Sequence, residues 1–184
     1  MPRPCLFLDR DGVLIEDLGY VSRVEDLHPI PGSLAAAARA RAGGLAVVVV
    51  TNQSGIGRGY YTEKEFRAVQ GALEERLRAA GGALDGVYFC AADDNAHPDR
   101  KPNPGMLLRA AADLGLDLAR SLMVGDKLRD LQAGVRAGVS RVCLVRTGEG
   151  AGELAVVTPE RVRPAELWVC ADLAEAVERF LAGG

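Results

Sequence analysis

Histidine is nearly missing from this 184-residue chain, which has only His28 and His97, so a reaction run by a histidine base or nucleophile is disfavoured. Cysteine is sparse as well. Cys5, Cys90, Cys143 and Cys170 each lie in or beside an apolar run, where a free thiol behaves as a small hydrophobe, and no disulfide framework is expected. Neither sign of charge dominates: a net charge of −3 supplies no broad basic field for a polynucleotide or an anionic membrane. No apolar run is long enough to span a bilayer, and the chain enters a strand-like segment without the basic and apolar regions of a signal peptide. A cytoplasmic protein is therefore expected. Internal repeats and low-complexity tracts are also absent, and the length suits one α/β domain over residues 1–184 rather than two of ordinary size.

What the chain does contain is a series of apolar runs, each ending in a polar cluster. Residues 5–8 run into Asp9-Arg10-Asp11-Gly12, residues 45–50 into Thr51-Asn52-Gln53-Ser54-Gly55, and residues 121–124 into Gly125-Asp126-Lys127. In a strand, residues two apart point the same way, so Asp9 and Asp11 can face one site while Gly12 lets the chain turn out of the sheet. Near-continuous apolar runs suit parallel strands covered on both faces. Strands are expected at 5–8, 45–50, 87–90, 122–124, 141–145 and 167–170. They alternate with helices at 33–42, from the Thr62/Glu65 capping box to about 80, and at 104–114, 128–137 and 173–181. Residues 148–164, mixed in glycine, proline and charge, read as a surface connection. This alternation predicts an α/β fold: a doubly wound, mostly parallel, Rossmann-like sheet of five to six strands with helices on both faces. The intervals after the first and third strands leave no room for a separate cap domain, so short loops would select the ligand.

The ordered motifs Asp9-x-Asp11, Thr51, Lys101 in Arg100-Lys101-Pro102, and Gly125-Asp126 with Asp130 resemble those of the haloacid dehalogenase-like phosphohydrolases. Gly19-Tyr20-Val21, Thr51-Asn52-Gln53-Ser54-Gly55-Ile56 and Pro104-Gly105-Met106 are similar to the branch that contains heptose 1,7-bisphosphate and histidinol-phosphate phosphatases. The resemblance covers roughly residues 5–148. It implies a Mg²⁺-dependent phosphomonoester hydrolase in which Asp9 forms an aspartyl-phosphate and Asp11 protonates the leaving oxygen, then deprotonates the attacking water. Thr51 and Lys101 would bind the transferred group, and Asp9, Asp11 (through its backbone carbonyl) and Asp126 would hold the metal. Asp130 is open between a place beside the metal and an exposed helix charge.

Substrate contacts are expected from Asp17, Leu18, Gly19, Tyr20, Thr51, Asn52, Gln53, Ser54, Arg100, Lys101 and Lys127, with Arg58 read as a surface charge that a distal phosphate could use. The implied substrate is a small phosphorylated sugar, foremost the 7-phosphate of a heptose 1,7-bisphosphate, with histidinol phosphate as the enzymatic alternative. A macromolecular substrate or a phospho-binding module without turnover stands further off. Many relatives in this branch carry a structural zinc on the loop after the third strand; here that loop offers only Cys90 and His97, short of the four ligands a structural zinc takes, so no zinc is expected. No partner is implied, and a monomer is expected.

Overall fold

The computed structural model describes residues 2–183. The six strands are β1 (Arg3–Leu8), β2 (Ala46–Asn52), β3 (Gly86–Cys90), β4 (Leu116–Gly125), β5 (Arg141–Val145) and β6 (Glu166–Cys170), joined into one parallel sheet in the order β3-β2-β1-β4-β5-β6. Its helices are α1 (Ser33–Ala42), the single turn α2 (Ser54–Gly57), α3 (Glu63–Ala79), α4 (Gly105–Leu114), α5 (Leu128–Ala137), the single turn α6 (Gly150–Glu153) and α7 (Leu173–Gly183).

The continuous apolar runs are explained by two cores, one on each face. Leu6, Leu8, Val47 and Val49 pack with α1, α3 and α7, whereas Cys5, Phe7, Val48 and Val50 pack with α4 and α5. Each strand thus alternates between two dry faces, and a polar residue in mid-strand would be buried whichever way it pointed. All four cysteines are buried free thiols, as expected. The capping box forms too: Glu65 N donates to Thr62 Oγ1 at 3.2 Å, and Thr62 N donates to Glu65 Oε2 at 2.7 Å.

The chain winds outward from β1 through β2 to β3, then returns to place β4 on the other side of β1. That reversal opens a crevice at the carboxyl ends of β1, β2 and β4, where ligands of open α/β sheets bind. No separate cap stands over it among the described residues. The stretch between Asp9 and α1 holds only a 3₁₀ turn, Val24–Asp26, and the isolated bridges Asp11↔Ile15 and Ile15↔Pro29.

Three local expectations need correction. β4 begins at Leu116 rather than 122, because Arg3 and Pro4 pair with Leu116 and Asp117 before a register shift between Pro4 and Leu6. The polar residues Asp117, Arg120 and Ser121 conceal this extension from hydropathy. The connection at 148–164 is more than surface chain, since Val157 and, in a 3₁₀ turn over Pro159–Val162, Val162 are buried in the core that includes α5. A further turn of helix, α2, follows β2 where only a loop was expected.

Candidate active site

Three carboxylates converge at the crevice. Asp9 follows β1, Asp126 follows β4 and Asp130 lies in the first turn of α5, and each offers an oxygen within 4.8 Å of the others. All three are buried. Gly12 and Gly148 make this burial possible: both have positive φ, and a Cβ on either would lie 2.2 or 2.4 Å from Asp126 Oδ2, so only glycine lets the loops close over that carboxylate.

Lys101 supplies the compensating charge. Its ammonium, 1% exposed, lies 2.8 Å from Asp130 Oδ1 and 3.0 Å from Asp9 Oδ1, and donates to the Val50 carbonyl at 2.8 Å. Asn52, at the end of β2, fixes the backbone that carries it: Asn52 Nδ2 donates to Lys101 O at 3.1 Å and Asn52 Oδ1 accepts from Lys101 N at 3.0 Å. Asn52 lines the crevice as a predicted substrate residue would, but both atoms of its amide are engaged in this clamp. Asp130 is no exposed helix charge. Its Oδ2 accepts the Lys127 amide at 3.1 Å while Oδ1 faces Lys101, so it anchors both the lysine and the start of α5.

Asp126 is differently placed. Oδ2 accepts from Glu149 N at 2.9 Å, whereas Oδ1 is buried with no hydrogen-bond partner among the described residues. Burial, with the charges of Asp9 and Asp130, pushes its pKa up to about 8. Burial also raises Asp9, against the pull of Lys101. Burial disfavours the charge on Lys101, but Asp130 and Asp9 outweigh it and hold the ammonium above the ordinary lysine range. Three buried carboxylates against one ammonium, with an unpartnered oxygen among them, fit a hard divalent cation with oxygen ligands. Asp9 and Asp126 have the oxygens free to hold it.

A pH dependence follows. A carboxyl whose folded pKa lies above its unfolded value binds the extra proton in the native state, so its stabilising effect is present at low pH and is lost as pH rises towards 8. A divalent cation held by that carboxylate would substitute for the proton. The rise in Tm caused by saturating Mg²⁺ is therefore expected to be larger at pH 8.5 than at pH 6; equal shifts would show that the cation does not replace a proton at Asp126.

Above the cluster opens a cavity of about 320 Å³, lined in part by Asp9, Asp11, Asn52, Gln53 and Ser54 on the sheet side and by Asp17, Gly19, Tyr20, Arg100 and Lys127 around the rim. Lys127 is tied to Asp17 at 2.9 Å and to Glu149 at 3.0 Å. Burial opposes the charge on Asp17, but its bonds to Lys127 and the Gly19 amide hold its pKa below the ordinary range. Leu18, grouped with these residues in the sequence, is 56% exposed and is not part of the lining. Thr51 and Lys101 also stay off it, buried beneath the floor. The Asp11 carboxylate stands outside the three-carboxylate cluster, held by Arg10 and Gln53.

Arg58 and Arg129 line the cavity as well. Arg58 is more than the surface charge expected, donating to Tyr20 Oη at 3.1 Å and to Asp93 Oδ1 at 2.7 Å. Arg129 gave no signal in the sequence, and its Nε is buried without a hydrogen-bond partner among the described residues. The rim thus carries four cations, Arg58, Arg100, Lys127 and Arg129, around the acidic floor.

A doubly wound parallel sheet with a DxD strand end, a buried lysine and an acidic helix start at one crevice is the arrangement of a haloacid dehalogenase-like hydrolase. The comparisons agree. Residues 99–176 match the HAD-hydrolase-like family model and residues 26–136 match that of the polynucleotide kinase 3 phosphatases. The D-glycero-beta-D-manno-heptose-1,7-bisphosphate 7-phosphatase of Mesorhizobium japonicum is 47% identical over 88% of this chain and 76% of its own. The corresponding Escherichia coli K12 protein is 41% identical over 96% and 94%. The crystal structure of D,D-heptose 1,7-bisphosphate phosphatase from B. bronchiseptica, complexed with magnesium and phosphate, superposes with a TM-score of 0.90 at 37% identity, covering 98% of this chain and 99% of that one. The chain belongs to the haloacid dehalogenase-like phosphatases, in the branch of the heptose-1,7-bisphosphate 7-phosphatases.

Proposed function

We propose that this enzyme removes the 7-phosphate of a D-glycero-D-manno-heptose 1,7-bisphosphate by way of an aspartyl-phosphate on Asp9. The observation that carries the reading is Asp9 on the floor of a cavity with a cationic rim, backed from beneath by the buried Lys101, which also pairs with Asp130. Asp9 is the one member of the carboxylate cluster that lines that cavity.

A phosphate monoester resists attack because its oxygens are already negative and its alkoxide leaves poorly. In the first step an Asp9 oxygen bonds to phosphorus, the ester P–O bond breaks, and the sugar oxygen takes a proton from Asp11. In the second, water attacks phosphorus, its proton returns to Asp11, and inorganic phosphate leaves with Asp9 restored. Thr51 and Lys101 stabilise the charge on the transferred group from below. Mg²⁺ held by Asp9, Asp126 and the Asp11 carbonyl would neutralise phosphoryl charge and align the group for in-line attack. The cationic rim is suited to the second phosphate, with Arg100, whose Nε and Nη1 are held by its own loop, and Lys127 supplying positive charge. Asp17, Gly19, Tyr20 and Ser54 remain for sugar hydroxyls, whereas Gln53, predicted among them, has both ends of its amide engaged by Asp11, Thr51, Arg10 and Tyr61.

The match to a polynucleotide phosphatase model spans the scaffold common to these enzymes, whereas the net charge of −3 and the small cavity favour a compact anion over a nucleic-acid end. Zinc is also outside the proposal. The loop after β3 has its own fastenings: Arg100 donates to Asn95 Oδ1 at 3.0 Å and to Ala92 O at 2.8 Å, Asn103 bridges Asn95 O and His97 O, and Cys90 Sγ sits 3.5 Å from His97 Nδ1.

The test is phosphate release with Mg²⁺ from both anomers of heptose 1,7-bisphosphate, histidinol phosphate and sugar monophosphates. Higher kcat/KM for a bisphosphate is expected, from dialysed protein that retains far less than one zinc per chain. Preference for histidinol phosphate would reassign the substrate, and stoichiometric zinc would overturn the metal-free loop.

A further inference from the structure

We propose that Arg10, the residue between the two motif aspartates, is a positioning residue that acts through Asp11 with Gln53 as its second hand. The inference rests on the proposed acid and base role of Asp11. Arg10 is 1% exposed and does not line the cavity, so it has no access to substrate. Its guanidinium instead forks onto Asp11, Nε donating to Oδ2 at 3.1 Å and Nη2 to Oδ1 at 2.9 Å. The plane lies 5.3 Å from the Phe66 ring centroid, on α3, and Nη1 has no hydrogen-bond partner among the described residues. Burying a guanidinium with one donor idle is costly. Mere packing would not need a charge there; fixing a carboxylate does, because the planar fork sets both the position and the rotation of its partner.

Gln53 completes the hold, and its own orientation is dictated by a neighbour. Burial pushes Tyr61 up to about 12, so its hydroxyl stays protonated and donates to Gln53 Oε1 at 2.5 Å. Oε1 also accepts from Arg10 Nη2 at 3.3 Å. The amide nitrogen is thereby turned to the active site, where it donates to Asp11 Oδ2 at 3.0 Å and to Thr51 Oγ1 at 2.8 Å. Every polar atom of Gln53 is used. Asp11 is therefore gripped from two elements, β1's exit and the turn after β2, with both oxygens engaged. Left loose beside a cation, its carboxylate would be drawn toward the metal; gripped by Arg10 and Gln53 it stays apart from Asp9, Asp126 and Asp130 and available for proton transfer.

The prediction separates proton delivery from general damage by leaving-group chemistry. Departure of a sugar alkoxide needs a placed acid, whereas p-nitrophenolate leaves without one, and kcat/KM reports the steps up to that departure. Arg10→Met is expected to lower kcat/KM for the sugar phosphate on the order of 10- to 100-fold, yet that for p-nitrophenyl phosphate by less than about 3-fold. Arg10→Lys, which keeps the charge but not the fork, should show the same split at smaller size, and it carries the test should the methionine variant not fold. Equal losses on both substrates, or none on either, would overturn the assignment. Asp11→Asn is measured alongside. If it shows the split and the Arg10 variants do not, only the role of Arg10 fails; if it shows no split, the acid role of Asp11 fails with it.

Discussion

Asp9→Asn is expected to reduce phosphate release at least about 10⁴-fold, the scale on which removal of an enzymic nucleophile acts. The change is nearly isosteric, and the side chain keeps an oxygen for the bonds that Oδ1 now makes with the Arg10 amide, at 2.8 Å, and with Lys101. What disappears is the negative oxygen proposed to attack phosphorus. Removing one of three crowded carboxylates also relieves repulsion, so the metal-free variant should melt no lower than the parent at pH 8. Activity above about 1% of the parent would sink the assignment of Asp9 as nucleophile, because no other side chain among the described residues both joins the carboxylate cluster and lines the cavity.

Lys101→Met should have the second large effect, and on two observables. Its ammonium touches Asp9, Asp130 and the Val50 carbonyl from a position 1% exposed. Methionine fills similar volume but leaves Asp9, Asp126 and Asp130 buried together without a compensating charge. Loss of one partner from a buried ion pair costs about 3–5 kcal/mol, and loss of a stabilising donor on a transferred group about 10²- to 10³-fold in rate. The fall in stability should therefore be large in chelator and smaller in saturating Mg²⁺, since the cation takes over part of the neutralisation. A loss of stability unaffected by Mg²⁺ would mean that Lys101 serves packing and not the charge balance of this cluster.

Much of this was legible in the chain, and the reasons differ from residue to residue. Asp9 and Asp126 were visible because a carboxylate at the end of a strand buried on both faces has no structural excuse. The six strands were visible for the same reason, except the first half of β4, where Asp117 and Arg120 interrupt the hydropathy of an edge that pairs only with Arg3 and Pro4. Asp130 was ambiguous: helical spacing says where a side chain starts, not that a lysine from a distant loop will reach it. Arg10 was hidden by its company, since an arginine between two aspartates in a turn reads as solvated. Arg129 lay beyond reach, because lining a cavity depends on how α5 meets the loop after β5, and no local pattern encodes that.

The two bonds from Asn52 to the backbone of Lys101 have a consequence for how such an enzyme diversifies. They moor the end of a long loop to the rigid tip of β2, so that the lysine keeps its place whatever the residues before it do. Residues 91–99 can then be lengthened, shortened or refastened as a replaceable fitting, altering what the rim admits while the reaction beneath goes on unaltered.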